Sequence, residues 1–129
     1  MVWAVVREIG ADGMRQRVRR HNDFARRLAE LVAADERLKL LAPPTLSICC
    51  FRYRAPGIDD ATFDRMNAEI AHRLRAETPY VPSTTRVAGR FAIRPCDINP
   101  RNTLTEVGGW PLGARDRRPN RQRRGLKSA

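Results

Sequence analysis

Residues 14–32, with the sequence MRQRVRRHNDFARRLAELV, decide the fold class. Apolar side chains recur there at every third or fourth position, which is the spacing of one face of an α-helix. The members of this stripe are Met14, Val18, His21, Ala25, Leu28 and Val32, and Phe24 and Leu31 widen it. Arginines fill most of the opposite face. The pattern predicts an amphipathic helix of about twenty residues with one buried face, ending near Ala34 and Asp35.

The segment before this helix is predicted to be the end of another helix. Residues 3–9 are mostly apolar, and Gly10 follows them where glycine commonly ends a helix. Residues 11–13 have the composition of a turn. We therefore expect two helices joined by a short turn at the start of the fold.

Two strands are predicted after the helices. Residues 38–41 form the first candidate, and Pro43 and Pro44 after it indicate a connector, because proline cannot donate a backbone hydrogen bond. Residues 46–53 form the second candidate and are rich in strand-forming residues. The alternation along this strand places on one face Leu46, Ile48 and Cys50.

A further helix and two more strands complete the pattern. Asp59 or Asp60 is expected to cap the helix, because a side-chain oxygen there can accept a free backbone N–H. The apolar stripe of this helix consists of Phe63, Met66, Ile70 and Leu74. Residues 84–88 and 90–94 are the strand candidates, and Gly89 between them indicates a tight turn or a bulge.

The end of the pattern is an interrupted helix. Residues 103–107 look like the entry to a third helix, but Gly108, Gly109 and Pro111 prevent its continuation. The order of the elements predicts a two-layer α+β domain. Its sheet is mostly antiparallel with about four strands, and the helices pack on one face.

The charge distribution divides the chain into a body and a basic tail. A chain of 129 residues is long enough for one domain. We assign this domain to residues 1–107. Residues 108–129 contain seven basic residues and one acid, and we expect this tail to be disordered. Arginine clusters attract phosphates, so a module that binds nucleic acid or other polyanions through the tail is one functional alternative. No apolar stretch is long enough for a membrane helix, and we expect a soluble cytoplasmic protein.

The residues that commonly carry chemistry form no recognisable site. No phosphate-binding loop, nucleophile elbow or zinc-protease motif is present. The thiols of Cys49, Cys50 and Cys96 have neither disulfide nor zinc spacing, and buried free thiols are expected. We predict a packed, hydrogen-bonded His21 and a solvated His72. Helix capping and dipole compensation explain the acidic residues Asp59, Asp60 and Asp64. No catalytic, cofactor-binding or metal-binding residue is therefore predicted.

Four stretches of the body together carry a resemblance to a known family. They are residues 2–10, residues 13–24 with Arg15, Arg20, His21 and Phe24, residues 48–52, and residues 90–94 with the downstream Asn99, Thr103 and Val107. In this order, and with similar gaps, they resemble the C-terminal small domain of the pyridoxal-phosphate-dependent (group II) amino-acid decarboxylases, the family of aromatic-L-amino-acid decarboxylase. The resemblance covers residues 2–107.

The resemblance implies a domain that does not carry out catalysis by itself. In that family, a large domain supplies the lysine that binds pyridoxal phosphate, and the intact enzyme is a homodimer that removes the carboxylate of an amino acid. Neither Lys39 nor Lys127 has the neighbours expected of such a lysine. The resemblance ends after Val107, and the chain is expected to be a fragment that binds no pyridoxal phosphate alone.

Overall fold

The computed structural model describes residues 2–96 and 107–108. Two helices and four strands make up this part of the chain. They are α1 (Val2–Ala33), β1 (Leu38–Thr45), β2 (Ile48–Tyr53), α2 (Asp60–Glu77), β3 (Ser83–Val87) and β4 (Arg90–Arg94). The strands form one antiparallel sheet in the order β1-β2-β4-β3. The predicted α+β architecture is confirmed.

Both helices pack against one face of the sheet, α1 over β1 and β2 and α2 mainly over β4. Phe51 of β2 and Ile93 of β4 are paired across the two central strands, and both are buried. They belong to one core cluster, whose other members are Phe24, Leu28, Ala29, Val32, Leu38, Cys49, Ala71, Leu74 and Val107. The two helices thus share one apolar core with the face of the sheet that carries Phe51 and Ile93.

The start of the fold has two helical segments that meet at Gly10, where the sequence predicts a helix end, and both lie within α1. Gly10 has φ 68° and ψ 178°, which interrupts the helical backbone of α1. Such a positive φ is accessible to glycine at little cost. The predicted turn over residues 11–13 is wrong, because the helical path resumes directly after Gly10. A single residue is therefore enough to redirect the chain.

Only the second half of the predicted apolar stripe is buried. The buried residues of α1 are Phe24, Ala25, Leu28, Ala29 and Val32. Met14 is half-buried and Val18 is 46% exposed. The prediction of one buried face along the whole helix is thus correct only from Phe24 onward.

The first strand includes the two prolines that the sequence pattern assigned to a connector. β1 runs through Pro43 and Pro44 to Thr45, so that assignment is wrong. β1 lies at an edge of the sheet, and its register with β2 shifts twice after Leu40. Edge strands and irregular registers tolerate proline because part of their backbone has no partner strand.

The second strand is shorter than predicted, and its other face is the more buried one. Leu46 is not part of the strand; it is exposed and lies in the turn before β2 with φ 53°. Cys49 and Phe51 are buried, whereas Ile48 and Cys50 on the predicted face are half-buried. The alternation itself was correctly predicted, but it does not show which face meets the helices.

The turn predicted at Gly89 is present. Ala88 has φ 49° and Gly89 has φ 79°, and the two residues connect the paired Val87 and Arg90. Two consecutive positive φ values are typical of the tight turns that join antiparallel strands. Residues 97–106 and 109–129, which include most of the predicted interrupted helix and nearly all of the basic tail, lie outside the described residues.

Candidate functional site

The charged residues that sequence analysis grouped at the start of α2 meet a buried arginine. The Arg52 side chain is only 5% exposed, and its Nη2 lies 2.7 Å from Oδ1 of Asp60. Its Nη1 lies 3.6 Å from Oδ1 of Asp64. The guanidinium is also 5.0 Å from the ring centroid of Phe63, a cation–π contact. We call Arg52, Asp60, Asp64 and Arg86 the Arg52 cluster.

Asp64 connects this cluster to the β3–β4 hairpin. Its Oδ1 accepts the backbone N–H of Phe91 at 3.0 Å. Its Oδ2 accepts Arg86 Nη1 at 2.7 Å, and the same nitrogen donates to the carbonyl of Gly89 at 2.7 Å. The cluster therefore joins β2, α2 and the hairpin through charge-assisted hydrogen bonds.

The capping prediction holds for one of the three acidic residues and is incomplete for the others. Asp59 is the N-cap of α2, since its Oδ1 accepts the N–H of Thr62 at 2.9 Å. Asp60 and Asp64 make the contacts with Arg52 described above, and these contacts connect α2 to β2. The positions of Asp60 and Asp64 in the sequence do not indicate that they pair with Arg52.

Asn67 is a second buried polar residue that sequence analysis did not single out. Its side chain is fully buried on α2. Oδ1 accepts the N–H of Tyr53 at 2.7 Å, and Nδ2 donates to the carbonyls of Tyr53 and Phe63 at 3.1 Å and 2.9 Å. The amide thus satisfies both backbone groups at the end of β2. The contacts of the Arg52 cluster and of Asn67 hold α2 against the sheet.

Asp64 gives the stability of the domain a dependence on pH. The hydrogen bond from Phe91, followed by the contacts with Arg86 and Arg52, lowers the pKa of Asp64, although partial desolvation opposes this. Because the pKa is lower in the folded state, the stabilisation is fully present above the unfolded pKa of about 3.9 and is lost as the pH falls through the folded pKa.

We expect Asp64→Asn to reduce this acid sensitivity. The difference in urea midpoint between the wild-type protein and the variant should be largest near neutral pH and should shrink between about pH 4 and pH 2. Asp12→Asn, on the exposed part of α1, is the matched control and should follow the wild-type curve. A wild-type-to-variant difference that stays constant over this range would contradict the assigned role of Asp64.

The two histidines lie in different surroundings. His72 is exposed on α2, as predicted. His21 is half-buried on α1, and its Nε2 is buried without a hydrogen-bond partner among residues 2–96 and 107–108. The predicted packing of His21 is present, while the predicted hydrogen bond is not seen at this nitrogen.

The three thiols are free and differ in burial. Burial raises the pKa of the Cys49 thiol to about 12 and also raises the pKa of the half-buried Cys50. These two thiols are therefore protonated at neutral pH and poorly nucleophilic. Cys96 is exposed, so the prediction of a buried thiol is wrong there, because the residue lies beyond the end of β4. Within the described ranges, no three His, Cys, Asp or Glu side chains are grouped as metal ligands.

Comparison with known proteins shows what this fold is related to. No protein-family model matches the chain. The tyrosine decarboxylase of Oryza sativa subsp. japonica is 31% identical over an alignment 116 positions long, which covers 81% of this chain and 21% of that protein. The phenylacetaldehyde synthase of Petunia hybrida is 28% identical over an alignment 100 positions long, which covers 72% of this chain and 20% of that protein.

A solved structure agrees with these sequence matches. The Oryza sativa enzyme TDC, crystallised with PLP and tryptamine, superposes with a TM-score of 0.76 and 26% identity. The superposition covers 85% of this chain and 24% of that chain. This chain is a homologue of the C-terminal small domain of the group II pyridoxal-phosphate-dependent amino-acid decarboxylases. It spans about a fifth of the length of the curated relatives that it matches.

The described residues of this decarboxylase-like domain do not fit pyridoxal phosphate. The cofactor chemistry of the family requires a lysine with a nearby acid and a phosphate-binding surface. Lys39 is the single lysine in residues 2–96, and it is exposed on the edge strand β1, where it pairs with Arg52 in register. A shallow polar depression on α1 is lined by Gly13, Gln16, Arg17 and Arg20, and it contains neither a lysine nor an acid.

The domain also shows no membrane-spanning element in its described part. Neither α1 nor α2 contains a stretch both long and apolar enough to cross a bilayer.

Proposed function

We propose that this chain serves as the small, non-catalytic domain of a pyridoxal-phosphate-dependent enzyme that decarboxylates amino acids, with aromatic amino acids as the substrate class. A large cofactor-binding domain supplies the chemistry, and the assembled enzyme is a homodimer. The observation that carries the proposal is the 31% identity to a tyrosine decarboxylase over 81% of this chain. The chain contributes structure, and no residue of it is assigned a catalytic role.

The contacts at α2 support a scaffolding role. Arg52 and Asn67 are buried polar residues, and their partners lie on different elements of the fold. Buried hydrogen bonds and ion pairs between elements fix the relative position of helix and sheet. A small domain with a fixed shape can present a constant surface to a larger partner. When bound in the large domain, pyridoxal phosphate would act as the electron sink for loss of the carboxylate.

A chimera tests the proposal. The region of the Oryza sativa tyrosine decarboxylase that matches this chain is replaced by residues 2–107, and carbon dioxide release from L-tyrosine is measured. We expect activity within about tenfold of the parent enzyme, because the catalytic groups are unchanged. The parent enzyme with the matched region deleted should be inactive. A chimera that is soluble, retains pyridoxal phosphate and releases no carbon dioxide would contradict the proposal.

A second measurement tests the prediction that this chain contains no binding site for pyridoxal phosphate. The isolated chain is mixed with pyridoxal phosphate, and the absorbance band of a lysine adduct is followed. We expect no stable absorbance band beyond the non-specific reaction of pyridoxal phosphate with exposed amines. The wild-type chain and Lys39→Ala should not differ in any stable band. A stable band that survives Lys127→Ala and disappears in Lys39→Ala would place a cofactor site in this chain and contradict the assignment.

A further inference from the structure

A depression on α1, just after the kink at Gly10, is lined mainly by hydrogen-bond donors. The lining consists of Gly13, Gln16, Arg17 and Arg20, and the volume is about 360 Å³. Residues three or four positions apart are neighbours on a helix surface, so both arginine side chains and the Gln16 amide can reach the same space. We call these four lining residues the α1 depression. It brings two guanidinium groups and one amide together.

The positive charge around the α1 depression is not balanced by acids. Residues 13–20 contain four arginines and no acidic residue. The adjacent acid, Asp12, forms an ion pair with Arg15 and not with a lining residue. Arg17 is half-buried, and no carboxylate in the described part of the chain lies within ion-pair distance of it. A partly desolvated cation attracts an anion more strongly than a fully hydrated one does, so a bound anion would supply the missing counter-charge.

The kink leaves no room for a side chain at position 13. A Cβ atom added to Gly13 would lie 3.0 Å from Cβ of Ile9. In an unbroken helix, Cβ atoms four residues apart are about 5–6 Å apart, so the interruption at Gly10 brings Ile9 unusually close. The surface of the α1 depression at Gly13 is therefore backbone, and a ligand can approach it without displacing a side chain.

We propose that the α1 depression binds a phosphate dianion, either free or carried by a small phosphomonoester. Each guanidinium can donate two parallel N–H groups to a pair of phosphate oxygens. A phosphate group has enough oxygens to accept hydrogen bonds from Arg17, Arg20 and Gln16 together, whereas a carboxylate has only two oxygens to share among them. The depression is shallow, so binding is expected to be weak, with a Kd of about 1 mM. This inference does not depend on the proposed function.

A titration followed by amide NMR of the full chain tests the site. Sodium phosphate replaces sodium chloride at constant ionic strength and at a pH above about 7, where a phosphate group carries close to two negative charges. The amide signals of residues 13–20 should shift and saturate. We expect Arg17→Gln to raise the Kd by at least about fivefold. Arg19→Gln is the matched control, because it removes the same charge from the same helix at a residue that does not line the depression, and we expect less than about a twofold change.

A second variant and two other anions keep the test decisive. Arg20→Gln, at an exposed position, should weaken binding as Arg17→Gln does, and it serves if Arg17→Gln alters the fold. Equal weakening by Arg19→Gln, or shifts that do not saturate, would mean that the general charge of α1 attracts phosphate and would overturn the site. Acetate that saturates the same signals as tightly as phosphate would overturn the ligand class. Phenyl phosphate distinguishes the two sources: tighter binding than inorganic phosphate assigns the site to phosphomonoesters, and equal or weaker binding assigns it to free phosphate.

Discussion

Replacing Asn67 with alanine is expected to lower the free energy of unfolding by about 3 kcal/mol. The amide is fully buried and makes three hydrogen bonds, two with the backbone of Tyr53 and one with the carbonyl of Phe63. Alanine would leave the N–H and the C=O of Tyr53 without these partners. A buried polar group that loses its partner costs about 1–3 kcal/mol. The small cavity left by the amide adds to the loss.

Urea unfolding followed by far-ultraviolet circular dichroism measures this effect. This signal reports directly on the loss of α1 and α2. Glu69→Ala is the matched control on the exposed face of the same helix and should change stability by less than about 0.5 kcal/mol. Asn67→Asp should be at least as destabilising as Asn67→Ala, because it places a carboxylate beside two carbonyl oxygens. A loss below about 1 kcal/mol in Asn67→Ala would mean that water replaces the amide.

The apolar stripe of α2 shows why this residue was not predicted. Phe63 and Leu74 were assigned to the buried face by their helical spacing, and both are buried. Asn67 lies between them on the same face. A periodicity rule scores apolar residues, so a polar residue on the buried face appears as an interruption and not as a contact. Its partner Tyr53 lies on β2, which only the folded structure brings close.

The kinked helix α1 shows the same limit for packing. The periodic stripe correctly predicts that the helix is amphipathic, because that property depends only on residues three and four apart. It does not show what each turn of the stripe meets. Phe24 and Val32 join the core cluster with the sheet, whereas Val18 is 46% exposed. The cap at Asp59 was predictable because it depends on neighbouring residues. The pairing of Arg52 was not predictable because it depends on the topology of the fold.

Replacing both Asp60 and Asp64 in the Arg52 cluster with alanine is expected to lower the free energy of unfolding of the domain by about 4 kcal/mol. The Arg52 side chain is 5% exposed and has these two carboxylates as its ion-pair partners among the described residues. Their removal leaves a guanidinium in a largely desolvated position without a counter-charge. Phe91 also loses the acceptor of its backbone N–H. Urea unfolding at neutral pH and constant salt measures the loss.

Adding Arg52→Met to this double variant is expected to restore at least about 1 kcal/mol, because the uncompensated buried charge is then removed. Methionine can occupy part of the same volume and contact the ring of Phe63 through its sulfur. Arg65→Met in the same double variant is the matched control and should restore nothing, because Arg65 is exposed on α2. If the triple variant with Arg52→Met is no more stable than the double variant, burial of the guanidinium is not the source of the loss. The lost hydrogen bond of Phe91 and the lost contact of Arg86 with Asp64 would then account for it.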